Sequence, residues 1–300
     1  MGNSYVLVTA ARNEENYIDF PIRSVIAQTI LPKRWVIVSD GSTDGTDRIV
    51  AKYAEALEFI ELVRVEEGDT EPNFASKVRA IQVGCGRLRG FTYGYIGNLD
   101  ADVSFDKHYF ETLLDRFQRN PRLGIAGGFI LEERNGRFES RLFNTERSVA
   151  GAIQLFRRQC YEEVGGHSPM TYGAEDTVLE VTARMMGWEV RAFPDLEVLH
   201  HRPSLSARGA IRERFREGIC DYLVGSHPAL EPLKCFRRMR ENPLVLGGFL
   251  RLCGFIWFCL KGERRPVSKE FVRFLRREQL QNLKLVLCSY ARWTRFTPDV

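Results

Sequence analysis

Asp100-Ala-Asp102 sets two carboxylates one residue apart, directly after an apolar run. Hard oxygen donors in that arrangement can turn toward one ligand, and they suit Mg2+ or Mn2+ shared with phosphate oxygens. Asp40 opens the turn-rich stretch Asp40-Gly-Ser-Thr-Asp-Gly-Thr46. Its carboxylate can accept hydrogen bonds from a ribose hydroxyl or a base N–H; equally, Asp40 and Ser42 can shape an Asx turn and cap the next helix. Glu175-Asp176 precedes the helix-period segment Thr177–Met186. Either it supplies a general base to an acceptor hydroxyl, or it is a pair of first-turn acids favoured by the helix dipole. His200-His201-Arg202 offers an imidazole to a metal and a guanidinium to a diphosphate, or is a polar strand end. Lys77 and Arg79 can reach a pyrophosphate or line a solvated helix face.

The elements that must position these groups are legible as alternating periods. Tyr5–Thr9, Trp35–Val38, Phe59–Val65 and Tyr93–Leu99 are short apolar runs and read as strands. Between them, about Tyr17 to Gln28, Asp47–Leu57 and Phe74–Val83 repeat apolar residues at helical spacing. Farther on, Glu189–Phe193 and Leu196–Leu199 read as extended. Continuous apolar strands alternating with helices predict an α/β fold, a Rossmann-like, mostly parallel sheet covered on both faces, with ligands at the carboxyl ends of the strands. Asp40 and Asp100 stand at such ends.

Composition excludes several classes. At 300 residues, 44% hydrophobic and 27% charged, the chain is neither disordered nor fibrous. A net charge of +4 and the lack of a recognisable reading module argue against nucleic acid as a partner. The charge is divided unevenly: residues 201–300 carry 20 Lys and Arg against 9 Asp and Glu, whereas residues 1–200 carry 23 against 30. Seven scattered cysteines without a Cys-x-x-Cys pair fit a reducing compartment rather than a disulfide framework or a zinc site. Tyr5–Val8 is too short for a signal-peptide core and has no basic lead, so the body is expected on the cytoplasmic side.

Taken in order, the pieces resemble the family-2 glycosyltransferases with the GT-A fold. They are Val6-Leu-Val-Thr-Ala-Ala-Arg-Asn-Glu-Glu15, Val38-Ser-Asp-Gly-Ser-Thr-Asp-Gly-Thr46, Lys77-Val-Arg-Ala80, Asp100-Ala-Asp102 and Gly151-Ala-Ile-Gln-Leu-Phe-Arg-Arg158. Gly165-Gly166, Glu175-Asp176 with Gly187-Trp188, and His200-His201-Arg202 complete the set, so the likeness runs from residue 5 to about 203. The resemblance implies a catalytic domain over 1–205, its nucleotide-sugar half about 1–103 and its acceptor half about 104–205. It also implies an inverting transfer from a nucleotide-diphosphate sugar, a UDP-sugar by default, to an acceptor hydroxyl. By the same resemblance Thr9, Ala10, Arg12, Glu14, Asp40, Lys77, Asp100 and Ala101 line the nucleotide-sugar pocket. Asp102 contacts Mg2+ or Mn2+ together with His200 or His201, which the doubled residue leaves unresolved. Asp176 is the base, Glu175 holds acceptor or sugar, and Arg157 and Arg158 border the acceptor cleft.

Residues 206–300 read as a basic helical extension. A stripe of Ile211, Phe215, Ile219, Tyr222 and Leu223 indicates one helix. Leu244–Leu260 has one charge, Arg251, and as a helix would span roughly 26 Å, short of a bilayer core. Beyond Pro266, Phe271, Phe274, Leu275, Leu285 and Val286 share one helix side, opposite Arg273, Arg276, Arg277 and Lys284, with Leu280 and Leu287 off the pattern. Peripheral attachment to an anionic membrane and a lipid-linked or polysaccharide acceptor are the expectations, the alternatives being that these helices pack on the α/β body with their cations facing solvent or that 244–260 spans a membrane. A sugar-nucleotide nucleotidyltransferase is the enzymatic rival, but Ala10-Ala-Arg-Asn13 is not the Gly-rich phosphate loop it would carry. A non-catalytic nucleotide-binding scaffold of the same fold is the other.

Overall fold

The first strand, β1 (Tyr5–Ala11), is buried along nearly its whole length because both its faces are covered. A computed structural model describes residues 4–66, 74–134, 136–142, 144–202, 207–240 and 243–294. After β1 come α1 (Asp19–Ile26), β2 (Arg34–Asp40), α2 (Thr46–Ala56), β3 (Ile60–Val65), α3 (Phe74–Arg87) and β4 (Tyr95–Leu99). β1 pairs in parallel with β2 and β4, and β2 with β3. Side chains alternate as strand geometry requires. Tyr5, Leu7, Trp35 and Ile37 face a core shared with α1, α2 and the later helix at Tyr109–Arg119, whereas Val6, Val8, Val36 and Val38 face one shared with α3 and the later helix at Glu175–Met185. Each fully buried aliphatic side chain contributes about 1.5–3 kcal/mol, so two-sided burial explains why these strands are uninterrupted apolar runs.

The remaining elements of this unit are β5 (Val103–Phe105), α4 (Tyr109–Arg119), β6 (Leu123–Arg134), β7 (Arg137–Ser140), β8 (Ile153–Arg157), α5 (Arg158–Glu163), α6 (Glu175–Met185) and β9 (Glu189–His200). Among the described residues the sheet has nine strands in the order β3-β2-β1-β4-β8-β6-β9-β5, with β7 beside β6. From β8 onward it is mixed: β8 runs antiparallel to β4 and β6, β6 and β9 are parallel, and β5 is antiparallel to β9. The two extended segments expected around residue 194 are one strand. The register slips between Gly128 and Phe129, where Phe193 gives way to Glu197 as partner. Pro194, which cannot donate to a ladder, sits in that bulge. Gly128 is required there, since a Cβ would lie 2.1 Å from the Leu196 carbonyl oxygen.

The described chain forms two compact units, Met1–Ser204 and Leu205–Val300. The second holds α7 (Ala207–Leu223), α8 (Glu231–Arg237), a 3-10 turn at Arg238–Arg240, α9 (Leu246–Lys261) and α10 (Lys269–Thr294). Ile219, Tyr222, Leu223, Phe255 and Phe258, with Phe215, make its core; Ile211, expected in the stripe, is exposed. α7 and α9 cross at glycines: a Cβ on Gly218 would meet the Arg251 carbonyl oxygen at 1.9 Å, and one on Gly254 the Phe215 carbonyl oxygen at 2.1 Å. Arg251 is buried in an ion cluster, donating to Asp221 (2.6 Å) and Glu217 (2.7 Å), while Lys234 also pairs with Asp221. Together these cations hold the Asp221 carboxyl far below its usual range against the opposing effect of burial. On α10, Phe271 and Leu275 are buried and Arg273 and Arg277 exposed. The side chains of Val286 and Leu287 lie outside the described residues.

Candidate active site

The carboxyl ends of β1 and β2 are stitched together through their loops. Asn13, at φ +55°, accepts the Thr43 N–H at 2.8 Å, and its own N–H donates to the Ser42 hydroxyl. Glu14 N–H donates to Thr46 Oγ1 and Glu15 N–H to Asp44. This lacing turns Arg12 toward Asp40, with Nη1 3.9 Å from its carboxylate. Ser42 and Asp44 therefore serve the loop, and Asp44, not Asp40, makes the local bond to Thr46 N–H.

At the end of β4, Asp100 N–H bonds the Ala152 carbonyl, and Asp100 receives the Lys77 ammonium at 2.6 Å from the first turn of α3. Burial opposes the lysine charge, but Asp100, Glu175 and Asp102 outweigh it and raise the Lys77 pKa. Pairing of β5 with the end of β9 sets Val103 against His200 and brings Asp102 beside the histidines. His200 Nε2 lies 3.5 Å from Asp102 Oδ2, whereas His201 bonds Ser104 Oγ at 2.7 Å and stacks on Phe20. The doubled histidine thus splits, and His200 is the one at the carboxylate. Arg202 donates to Asp102 at 2.7 Å and to both Glu14 oxygens at 2.5 Å. Burial raises the Glu14 pKa, with Arg202 pulling the other way.

No group of three or more His, Cys, Asp or Glu poised for a metal exists among the described residues. The donor chemistry still fits a divalent ion that also takes ligands from a diphosphate. Asp102 Oδ1 is buried with no hydrogen-bond partner, and the His200 imidazole stands on the other side of the same carboxylate.

On the far side of Asp100, α6 begins after Gly173 (φ +93°) and Ala174 (φ +77°), a left-handed pair that swings Glu175 and Asp176 into the first turn. Asp176 Oδ1 accepts the Thr177 N–H at 2.7 Å. Its Oδ2 lies over Gly151, where a Cβ would approach to 3.1 Å. Three buried polar side chains hold that loop: Asn98 donates to the Gly151 carbonyl, Gln154 donates to that of Val149, and Glu180 accepts the Val149 N–H at 2.6 Å. Burial, then Asp176, pushes the Glu180 pKa to about 8. Burial and Asp176 also raise that of Glu175, whose Oε2 is buried without a partner.

Three of the expected site side chains, those of Thr9, Arg157 and Arg158, lie apart from this cluster. Thr9 is fully buried and its hydroxyl accepts the Trp35 indole N–H at 3.0 Å, so its side chain lies in the core. Arg157 and Arg158 end β8, opposite Tyr95 at the beginning of β4, so they stand at the other end of the strand from Asp100. Arg157 donates to the carbonyls of Phe117, Asn120 and Leu123, and Arg158 to Glu162. An antiparallel strand reverses which of its ends meets a ligand, so both arginines stand at the opposite end of β4 from Asp100. Ala10 and Ala101 flank the acidic edge; Arg79 lies on the exposed face of α3. Asn98 and Glu180 were missed, although a polar residue inside Tyr95–Leu99 and a lone acid on the buried face of α6 are signals in the chain itself.

Against known families, residues 6–174 match the model described as "Glycosyl transferase family 2". The chain belongs to glycosyl transferase family 2. A relative within reach of this family member is the poly-beta-1,6-N-acetyl-D-glucosamine synthase of Staphylococcus epidermidis, 25% identical over 222 residues, covering 68% of this chain and 49% of the synthase. The Staphylococcus aureus synthase is 29% identical over 119 residues, 40% of this chain and 26% of that protein. The chain thus spans half or less of the curated relatives it matches. Among solved structures, the mannosyltransferase PcManGT from Pyrobaculum calidifontis, in complex with GDP-Man and Mn2+, aligns with a TM-score of 0.53 at 19% identity, over 97% of this chain and 83% of that one. GalNAc-T7 with UDP, GalNAc and Mn2+ aligns at 0.56 with 13% identity, over 86% and 56%. This family-2 chain therefore has a GT-A fold: a mixed, mostly parallel sheet flanked by helices, followed by C-terminal helices.

Proposed function

We propose that the chain transfers a sugar from a nucleotide-diphosphate sugar to an acceptor hydroxyl with inversion at the anomeric carbon. The observation that carries this reading is the convergence of Asp100, Asp102, Lys77 and His200 past the carboxyl end of β4, with Asp176 beyond Ala152 and Gly151. Asp40 and Arg12 receive the base and ribose, and Lys77 stays protonated to meet phosphate oxygens. Asp102 and His200 would hold Mg2+ or Mn2+, which when bound neutralises the departing diphosphate. Asp176, fixed through Oδ1, presents Oδ2 to the acceptor hydroxyl and takes its proton as the oxygen attacks the sugar from the face opposite the leaving group. Glu175 steadies acceptor or sugar.

UDP-N-acetylglucosamine is the first donor to test, because the name of the Staphylococcus relatives specifies that sugar and a UDP-sugar is the general expectation. The acceptor is a lipid-linked or glycan hydroxyl, and the basic C-terminal helices keep the enzyme at the inner face of the cytoplasmic membrane. Calorimetric titration of UDP, GDP and dTDP with and without Mn2+ tests the donor half. Metal-dependent binding of one nucleotide, weakened in Asp102→Ala and abolished by chelator, is the expected result. No binding of any nucleotide would overturn the assignment.

A further inference from the structure

α9 is apolar on two sides, and only one is used. At about 100° per residue, Gly247, Arg251, Gly254, Phe255 and Phe258 fall on the side packed within its own unit. Leu246, Phe249, Ile256, Trp257 and Leu260 fall together on the other, with Phe249 58%, Trp257 52% and Leu260 80% exposed. Leu233 and Phe236 of α8 add 52% and 68% exposed apolar surface. The helix cannot roll to hide this stripe. The glycine crossing with α7 admits no Cβ, and the Arg251 ion cluster locks the inner side. A continuous exposed stripe of this size marks an interaction surface rather than scattered exposure.

We propose that the outer side of α9 inserts, parallel to the surface, into an anionic lipid leaflet. This rests on the peripheral reading above and names the element that carries it. Charge selects the occupant. From Pro232 to Lys261 the sequence has six basic residues and one acid, Glu241, which lies outside the described residues; of the six, Lys234 and Arg251 are taken up by Asp221 and Glu217. Arg237 and Arg240 in the segment before α9 and Lys261 at its end are exposed, so a second copy would bring like charges together, whereas acidic headgroups complement them. Lys261 Nζ sits 5.5 Å from the Trp257 ring, an aromatic beside a cation at the depth where headgroups meet acyl chains. Crossing is not the alternative. None of the helices searched among the described residues is long and apolar enough to span, and the 16 residues of α9 reach only about 24 Å.

The full chain is mixed with phosphatidylcholine vesicles with and without phosphatidylglycerol, and binding is measured by co-sedimentation and by tryptophan emission. Wild type is expected to bind the phosphatidylglycerol vesicles and shift its emission to the blue, a shift lost in Trp257→Phe. The double variant Phe249→Glu/Leu260→Glu, which alters only exposed positions, is expected to bind at least about tenfold more weakly. Unchanged binding by that variant, with loss in Arg273→Glu/Arg277→Glu, would overturn insertion through α9 while leaving the peripheral reading intact. A wild-type chain that ignores both vesicles would overturn both. A lipid-free dimer that the α9 variant dissociates would assign the stripe to a second copy and overturn the proposal.

Discussion

In the proposed mechanism Asp176 is the residue on which the reaction turns, and Thr177 N–H fixes one of its two oxygens. With Oδ1 held by Thr177 N–H, substitution by Asn keeps shape and removes only basicity. Asp176→Asn is expected to lower kcat about 10²–10⁴-fold while UDP-sugar affinity by calorimetry stays within twofold of wild type, roughly the margin of such a comparison. Undiminished turnover would remove Asp176 from the role of base. Most of the acidic edge was legible in the chain because Asp40 and Asp100 each terminate an apolar run, and the run itself points to the strand end. The choice between His200 and His201 was not. It depends on Ser104 and Phe20, residues about 100 and 180 positions away, capturing one imidazole.

At the scale of elements, α6 both carries the proposed base and, one turn later, buries Glu180 against the Val149–Gly151 loop. The folded-state pKa of Glu180 is about 8, above the ordinary carboxyl value of 4.5. A raised pKa means the native state holds its proton more tightly than the unfolded chain. The associated stability is fully present below about pH 4.5 and is lost as pH rises through 8. Glu180→Gln, which keeps an acceptor for Val149 N–H, is expected to flatten the fall in Tm between those two values, as scanning calorimetry across pH would register. An unchanged slope would show that Glu180 ionises normally. The alternation of strands and helices through β4 was readable because each element's period is local. The bulge through Pro194 and the reversed β8 were not, since Gly128 against Leu196 and β8 against β4 are long-range fits that no local period encodes.

Taken whole, the molecule pairs an acidic body with a basic helical unit whose own core is stabilised by buried charge. Arg251→Met would leave Asp221 and Glu217 short of a partner at a cost of about 3–5 kcal/mol. Hydrogen exchange should register this as faster exchange across α7 and α9, with β1–β4 amides as the internal reference; equal protection in both proteins would show the cluster to be energetically neutral. The division in charge was visible in the sequence, but the ion cluster was not, because Arg251 reads as an intruder in an apolar helix until α7 is laid beside it. One further property follows from how Asp102, His200 and Arg202 meet. Arg202 reaches back 100 residues to Asp102 and 188 to Glu14, so the loops closed by these contacts are among the longest in the chain and the slowest to form. During synthesis the first four strands emerge and can pair long before β9 leaves the ribosome. The growing polypeptide is thus a folded half-sheet in which Asp102 has yet to meet His200 and Arg202, and the proposed donor site is complete only once β9 has emerged.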